Sequence, residues 1–121
     1  MEVEVLENER IDDLQIKGLK IIQDSDGFCF GVDAVLLANF AEVKKGEKVV
    51  DLGTGTGIIP TLIAGKTQAS SIIGVEIQKK VADMAGRSVI LNNLESRVKI
   101  VNNDLKKASE YLDKGGFDVV T

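Results

Sequence analysis

Histidine and tryptophan are absent from the 121 residues of this sequence, and cysteine and proline occur once each. Without histidine, the chain has no imidazole for acid–base catalysis or metal binding. Its one thiol, Cys29, has no partner for an internal disulfide and cannot supply the several thiolates of a structural zinc site. These absences exclude most hydrolase mechanisms and predict a protein that holds no metal.

Long apolar runs and a basic surplus are also missing. No run approaches the roughly 20 apolar residues that cross a bilayer, and the acidic N-terminus is unlike a secretory signal. Residues 1–30 contain eight acids and three bases, a net charge of −5, whereas the other residues contain eleven acids and twelve bases, a net charge of +1. We therefore expect a cytoplasmic protein with no membrane contact and without the basic surface of a stand-alone nucleic-acid binder.

Apolar segments of strand and helix type alternate along most of the chain. Because parallel strands joined by helices use right-handed crossovers, this order predicts an α/β fold with a doubly wound, mainly parallel Rossmann-like sheet. We expect about four strands in an incomplete sheet, and a division into an N-terminal extension (1–30) and a partial domain (31–121). The predicted strands are 48–52, 71–75, 98–101 and 117–120.

Turn and cap signals set the other boundaries. Gly18 predicts a hairpin with arms 14–17 and 19–22, a turn follows at 24–27, and Asp33 is placed to cap a helix that runs to about Ala41. The later helices are expected at about 58–64, with Pro60 in the first turn and Gly65 as the stop, at 78–92 and at 106–112. In the helix 78–92, one buried stripe is predicted from Val81, Met84, Ala85, Ser88 and Val89.

The segment from Val49 to Gly57 is the most informative part of the sequence. A strand that turns directly into a helix needs residues that tolerate positive φ, and Gly53, Gly55 and Gly57 supply them. The helix that follows presents unpaired N–H groups and the positive end of its dipole. The pattern therefore predicts that a ligand with an anionic group binds at this loop.

Spacing and charge separate the possible ligands. A dinucleotide motif, G-x-G-x-x-G, would need its third glycine at Ile58, and a pyrophosphate would be repelled by Asp51 at the mouth of the site. S-adenosylmethionine carries an ammonium, a carboxylate and a sulfonium, which suit an acid beside helix N–H groups. A P-loop is excluded because Pro60 occupies its first glycine position. The loop favours S-adenosylmethionine over NAD.

Two further acids follow the next predicted strands. Glu76 at the end of the second strand could accept both ribose hydroxyls of an adenosine, and Asp104 after the third could accept the adenine amino group. Each feature also has a plain structural interpretation: a tight turn for the glycines, a solvated strand end for Glu76 and a helix N-cap for Asp104. Their occurrence at three consecutive strand ends favours a bound nucleoside.

These residues resemble motif I of the class I methyltransferases, D-x-G-x-G-x-G. The segment Phe28-Cys29-Phe30-Gly31-Val32-Asp33-Ala34-Val35-Leu36-Leu37 is similar to the region before motif I in the enzymes that methylate an adenine N6 in the anticodon loop of valine tRNA. The resemblance covers roughly residues 10–121, and it implies a tRNA substrate. By this resemblance Gly31 and Asp33 cover the methionine end of the cofactor, although core packing for Phe28 and Phe30 and a helix cap for Asp33 stay open. The cofactor contacts expected from the loop, the strand ends and the resemblance are Gly31, Asp33, Asp51, Gly53, Thr54, Gly55, Gly57, Glu76, Ile77, Asn103 and Asp104.

The sequence departs from this family after its fourth strand. The family carries Asn-Pro-Pro-Tyr or a close variant there, which grips the target amine and stacks on the base, but here only Thr121 follows Val120. We therefore expect no catalytic residue in these 121 residues and interpret the chain as a fragment of a full-length enzyme. Three other functions stay open: a methyltransferase for a protein glutamine or a small molecule, a non-catalytic cofactor-binding module, and an NAD-dependent oxidoreductase, which Asp51 and Ile58 disfavour.

Overall fold

The structure is a computed structural model, and it describes residues 3–14, 17–24, 43–112 and 116–121. The predicted turn at 24–27, the extended piece at 28–30 and the helix that starts at Asp33 fall largely or wholly within 25–42, outside the described residues. Within the described ranges, the chain forms a two-stranded antiparallel hairpin and a four-stranded parallel sheet with its helices.

The hairpin consists of β1 (Glu9–Asp13) and β2 (Lys20–Asp24), with Glu9 opposite Asp24. A hairpin was predicted, but its first arm was placed wrongly at 14–17. Leu14 is instead buried at the base of the turn, where its N–H donates to the carbonyl of Leu19 at 2.9 Å. The leucines nearest the turn pack against a helix, so the strand pairing begins further from Gly18.

The parallel sheet contains β3 (Lys48–Leu52), β4 (Ser71–Glu76), β5 (Val98–Asn102) and β6 (Val119–Val120), in the order β5-β4-β3-β6. Every neighbouring pair is parallel, which confirms the predicted α/β class. The fourth strand is shorter than predicted. At its expected start the chain bends at Asp118, whose carboxylate accepts the N–H of Lys48 at 2.9 Å and whose N–H donates to the Lys48 carbonyl at 2.8 Å.

This strand order places the reversal of winding beside β3. The chain moves from β3 to β4 and β5 in one direction, and then returns to pair β6 with the other side of β3. With right-handed crossovers, the helices before and after this reversal lie on opposite faces of the sheet. In open α/β sheets the ligand binds at such a switch point, at the carboxyl ends of the strands. The loop after β3 lies at that position.

The helices are α1 (Ile58–Lys66), α2 (Lys79–Leu91) and α3 (Ala108–Tyr111), the last preceded by a 3₁₀ turn at Leu105–Lys107. The prediction that Gly65 stops α1 was wrong, because the helix continues to Lys66. A Cβ at Gly65 would lie 2.4 Å from the Leu19 side chain, so this glycine lets the hairpin approach the helix. Thr67 is the C-cap residue of this helix, and its N–H donates to the Ile63 carbonyl at 2.9 Å.

The helix α2 buries one face, as predicted, with one exchange of residues. Ala82 is buried and Val81 is only half-buried, while the other predicted members of the stripe are buried. Small side chains on this face allow close packing, since a Cβ at Gly57 would lie 3.2 Å from the Ala85 Cβ. Through this face, α2 therefore packs directly against the loop after β3.

The hydrophobic core lies between the sheet and its helices and continues under the hairpin. One cluster joins Val49, Ile63, Ile72, Val89 and Val98. A second cluster joins the hairpin to α1 and contains Leu14, Leu19, Ile21, Ile58 and Leu62. The hairpin is thus held on α1 by apolar contacts, in addition to its polar contacts with α2.

Polar groups of α2 and of its C-cap residue, Asn92, bond the edge of β2. The Ser88 hydroxyl accepts the N–H of Ile22 at 2.8 Å, and the Asn92 side chain bonds both the N–H and the carbonyl of Lys20, at 2.8 and 2.6 Å. An ion pair between Arg87 and Glu9 adds to them, with N–O distances of 2.5 and 2.6 Å. The free edge of the hairpin is therefore paired with helix side chains.

Candidate functional site

The loop after β3 has the backbone conformation that its glycines predict. Gly53, Gly55 and Gly57 have φ angles of 70°, 59° and 86°, in the left-handed region where a side chain would be strained. The chain can therefore leave β3 and enter α1 within five residues. This loop puts the N-terminus of α1 at the carboxyl end of the sheet.

The first turn of α1 has no internal cap. Its N-cap, Gly57, offers no side-chain acceptor, and the turn contains no acidic residue. Among the residues that the structure describes, the N–H groups of Thr56, Ile58 and Ile59 donate no hydrogen bond, and Pro60 has none to donate. The open donors and the helix dipole together favour an anionic group at this end of α1.

Asp51 lies beneath the loop. The prediction that it stands at the mouth of the site was wrong. Its exposed fraction is 2%. The carboxylate accepts the hydroxyl of Thr54 at 2.6 Å and the hydroxyl of Thr121 at 2.9 Å. Burial raises the pKa of Asp51, and these two hydrogen bonds lower it in part. The glycine loop folds over the carboxylate, and a contribution of its charge to ligand binding stays a prediction.

Thr54 is the residue that closes the loop over Asp51. Its N–H donates to the Val75 carbonyl at 2.9 Å, and its hydroxyl is used by Asp51. A Cβ at Gly74 would lie 2.8 Å from the Thr54 hydroxyl oxygen, so β4 needs a glycine at this point. These contacts give Thr54 a place in the loop's structure, and its contact with a ligand stays a prediction.

Glu76 connects the loop to the start of α2. Its side chain extends from the end of β4, and the residue is 8% exposed. One carboxylate oxygen accepts the N–H of Gly55 and the other accepts the N–H of Gln78, both at 2.9 Å. Each oxygen retains a second lone pair, so the carboxylate can still accept ligand hydroxyls. The same hydrogen bonds hold it in one orientation.

The end of β5 lies beside Glu76. Asn102 is the register partner of Glu76, and its amide donates to the carbonyls of Glu76 and Ile77 at 2.9 and 3.0 Å. Asn103 donates its N–H to the Glu76 carbonyl at 3.2 Å. Ile77, the residue after β4, is 60% exposed, so an apolar residue is accessible at this strand end.

Asp104 immediately precedes the 3₁₀ turn after β5. Its carboxylate accepts the N–H of Lys106 at 2.9 Å, and its own N–H donates to the Asn103 side chain at 2.7 Å. This is the capping role that the sequence left open as the plain interpretation. A contact between Asp104 and an adenine amino group stays a prediction.

The structure thus brings most of the predicted set to one rim of the sheet. Leu52 is opposite Val75 and Glu76 is opposite Asn102, so the glycine loop, Glu76 and the residues after β5 follow three adjacent strand ends. Gly31 and Asp33, which were predicted to cover the same site, lie outside the described residues. Asn102 and Thr121 were missed, because only the strand register shows that they touch Glu76 and Asp51.

Within residues 3–14, 17–24, 43–112 and 116–121, no group of three or more His, Cys, Asp or Glu side chains is arranged to hold a metal ion. In the same ranges no helix is both long and apolar enough to cross a membrane.

The parallel sheet, the reversal of winding and the glycine loop define a Rossmann-like methyltransferase fold. The sequence profile of the TRM5/TYW2 methyltransferase domain matches residues 37–118. The chain belongs to this family. The family-level resemblance expected from motif I is therefore confirmed.

Individual relatives agree with this assignment. The chain is 28% identical over 106 residues to a tRNA1(Val) (adenine(37)-N6)-methyltransferase of Bacteroides fragilis, covering 88% of this chain and 44% of the relative. Among solved structures it resembles Pyrococcus horikoshii TYW2 in complex with MeSAdo, with a TM-score of 0.76, 22% identity, and coverage of 95% of this chain and 42% of the other. It also resembles aTrm5 in complex with tRNALeu, with a TM-score of 0.66, 16% identity, and coverage of 83% and 29%. The chain spans less than half the length of these proteins.

Proposed function

We propose that this chain forms the S-adenosylmethionine-binding part of a methyltransferase that modifies the N6 amine of an adenine in tRNA. The observation that carries the proposal is the link between Glu76 and the glycine loop in front of the open N-terminus of α1. A carboxylate for ribose hydroxyls and free helix N–H groups for an anion lie on either side of one turn of chain. That pairing suits a nucleoside joined to an amino acid.

The described residues fit the parts of this cofactor in order along the rim. The N–H groups at the start of α1 would bind its carboxylate, and the buried charge of Asp51 would attract its ammonium. Glu76 would accept the ribose hydroxyls. The exposed side chain of Ile77 would cover one face of the adenine, with Asn103 and Asp104 at its edge.

The remaining predicted contacts complete the same site. We propose that Gly31 and Asp33 cover the methionine end, and that Gly53, Thr54, Gly55 and Gly57 shape the loop around it. The cofactor, when bound, supplies a methyl group activated by a positive sulfonium. The residues of this chain contribute by orienting it, since an in-line transfer depends mainly on positioning.

The relatives of this chain, and not a surface feature of the chain itself, support a tRNA substrate. The curated relative from Bacteroides fragilis is named for adenine N6 in valine tRNA, and aTrm5 was solved with a tRNA. A methyltransferase of this kind would act where tRNA is found, so we propose a cytoplasmic location. We expect the residues that hold the target amine in the segment that follows β6 in the family.

The substrate proposal is tested in the organism that encodes this chain. The gene is deleted, and nucleosides from purified valine tRNA are analysed by mass spectrometry. We expect N6-methyladenosine to disappear from this tRNA and to return when the gene is restored. Unchanged tRNA nucleosides, with a methyl group lost instead from a protein glutamine or a small molecule, would contradict the tRNA substrate and leave a methyltransferase of another specificity.

A further inference from the structure

Gln23 is a buried polar residue to which neither the fold nor the proposed site gives a role. It lies in β2 with an exposed fraction of 1%, and its side-chain nitrogen Nε2 has no hydrogen-bond partner among the described residues. Buried polar groups in proteins are almost always paired, so this amide has a donor open to a partner that the described residues do not supply, such as a ligand group or a water molecule. The position of Gln23 identifies where that partner would lie.

The pleat of β2 directs Gln23 toward the start of α1. Leu19, Ile21 and Gln23 share one face of the hairpin, because side chains alternate along a strand. Leu19 packs at Gly65, and Ile21 packs in one cluster with α1 residues Ile58 and Leu62. Two strand residues advance about 6.6 Å, which equals about 4.4 residues of helix. Gln23 is four residues after Leu19, so a count of about nine helix residues back from Gly65 places it level with Thr56 and Gly57.

A second set of contacts leads to the same place. The N–H of Ile22 donates to the side chain of Ser88 on α2, and the strand and the helix run in opposite directions. One residue further along β2 corresponds to about two residues back along α2. Gln23 is therefore about level with Gly86, the neighbour of Ala85, whose Cβ lies 3.2 Å from the position of a Cβ built on Gly57.

We propose that Gln23 is a further ligand-positioning residue, whose amide donates a hydrogen bond to the carboxylate of the amino-acid part of the bound cofactor. The inference rests on the proposed function, because it assigns a new residue to the same site. The free N–H groups of Thr56, Ile58 and Ile59 receive this carboxylate from one side. The Gln23 amide adds a neutral donor from the hairpin, so the N-terminal extension takes part in binding.

The test compares two ligands that differ in the part that Gln23 would contact. S-adenosylhomocysteine has the amino-acid end, whereas 5′-methylthioadenosine has the same adenosine and sulfur without it. Calorimetric titration of the chain and of Gln23→Met with both ligands measures the effect. We expect the variant to lose tenfold or more in affinity for S-adenosylhomocysteine, to keep its affinity for 5′-methylthioadenosine, and to melt no lower than the unmodified chain, because no native hydrogen bond is lost.

Control variants make each outcome decisive. Gln68→Met changes an exposed glutamine and is expected to alter neither affinity. Gln23→Glu keeps the shape of the side chain but places its carboxylate against the carboxylate of S-adenosylhomocysteine, so it should show the same selective loss. It replaces Gln23→Met in the test if that variant does not fold. Unchanged binding of S-adenosylhomocysteine, or equal losses for both ligands with a lower melting temperature, would show that Gln23 is a structural residue. If the unmodified chain binds neither ligand, the proposed function itself fails.

Discussion

The carboxylate of Glu76 and the N–H of Gly55 form a 2.9 Å hydrogen bond that ties the end of β4 to the loop after β3. The other oxygen of Glu76 holds the N–H of Gln78 at the start of α2. The same side chain therefore sets the loop, the entry to the next helix and the position of its own free lone pairs. Positioning of this kind, before any ligand arrives, lowers the entropy cost of binding.

Replacement of Glu76 by glutamine is expected to weaken binding of both S-adenosylhomocysteine and 5′-methylthioadenosine. The amide has only one acceptor oxygen, so one backbone N–H would face an NH₂ group and the ribose hydroxyls would lose a charged acceptor. We expect a loss of about 1–3 kcal/mol for each ligand by calorimetry. Glu95→Gln, at an exposed position, is the matched control. Equal affinities for Glu76→Gln and the control would remove Glu76 from the site.

Asp51→Asn is expected to raise stability and lower affinity together. Burial raises the pKa of Asp51 above its ordinary value of 3.8, so the native state holds this proton more tightly than the unfolded chain. The resulting stabilisation is present below pH 3.8 and is lost as the pH rises through the native pKa. At neutral pH the ionised form is unfavourable, and asparagine removes that buried charge while its oxygen can still accept the Thr54 hydroxyl.

Urea unfolding at neutral pH and near pH 3.8 measures the first effect. The variant should gain stability on the order of 1 kcal/mol at neutral pH, and the gain should shrink in acid. Its affinity for S-adenosylhomocysteine should fall by about 1–3 kcal/mol, because the ligand's ammonium loses a nearby negative charge. A variant that is less stable at neutral pH would contradict the assignment of Asp51 as a buried and unfavourable charge.

Two glycine substitutions should act in opposite directions. Gly74→Ala would place a methyl group 2.8 Å from the Thr54 hydroxyl, and the loop would have to move. We expect a destabilisation of about 1–3 kcal/mol with weaker cofactor binding. Gly86→Ala, on α2, has no atom within 4 Å of the new methyl group, and should stabilise the chain by about 0.5–1 kcal/mol. Thermal melts of both variants check the pair, and similar melting temperatures would refute the loop contact.

The ion pair between Glu9 and Arg87 should hold the hairpin in place. The Glu9 side chain is 1% exposed and the Arg87 side chain 13%. Glu9→Leu would leave the guanidinium without this carboxylate and should cost about 3–5 kcal/mol, whereas the double variant with Arg87→Leu should recover much of that loss. A double-mutant cycle in urea measures the coupling, and additive effects would contradict it.

The same pair gives a pH dependence of the opposite sign to that of Asp51. The hydrogen bond from Arg87 is the main cause that lowers the pKa of Glu9 below its ordinary value of 4.5. Its contribution to stability is therefore present above pH 4.5 and is lost as the pH falls through the lowered native pKa. The double variant should not lose this contribution to stability when it is unfolded by acid.

The sequence predicted the regular elements of the sheet because their signals are local. The bounds of β3 were predicted to the residue, and β4 and β5 to within one, since short apolar runs between turn signals define buried strands. The glycine loop was predicted for the same reason. Gly65 could not be interpreted locally, because its role depends on the hairpin that packs across α1.

The candidate site was also predicted only where its signals are local. The acids could be identified from their positions after the strands, but the groups that surround them could not. Asp51 is covered by the loop and bonded to Thr121, a residue 70 positions away in sequence. Such contacts depend on which strand pairs with which, and a single sequence does not encode that register in any short pattern.

Calorimetric titration of this chain with S-adenosylhomocysteine, and separately with NAD, distinguishes the two cofactors that the glycine loop could bind. We expect binding in the micromolar range for S-adenosylhomocysteine and no heat for NAD. Binding of NAD without binding of S-adenosylhomocysteine would contradict this expectation.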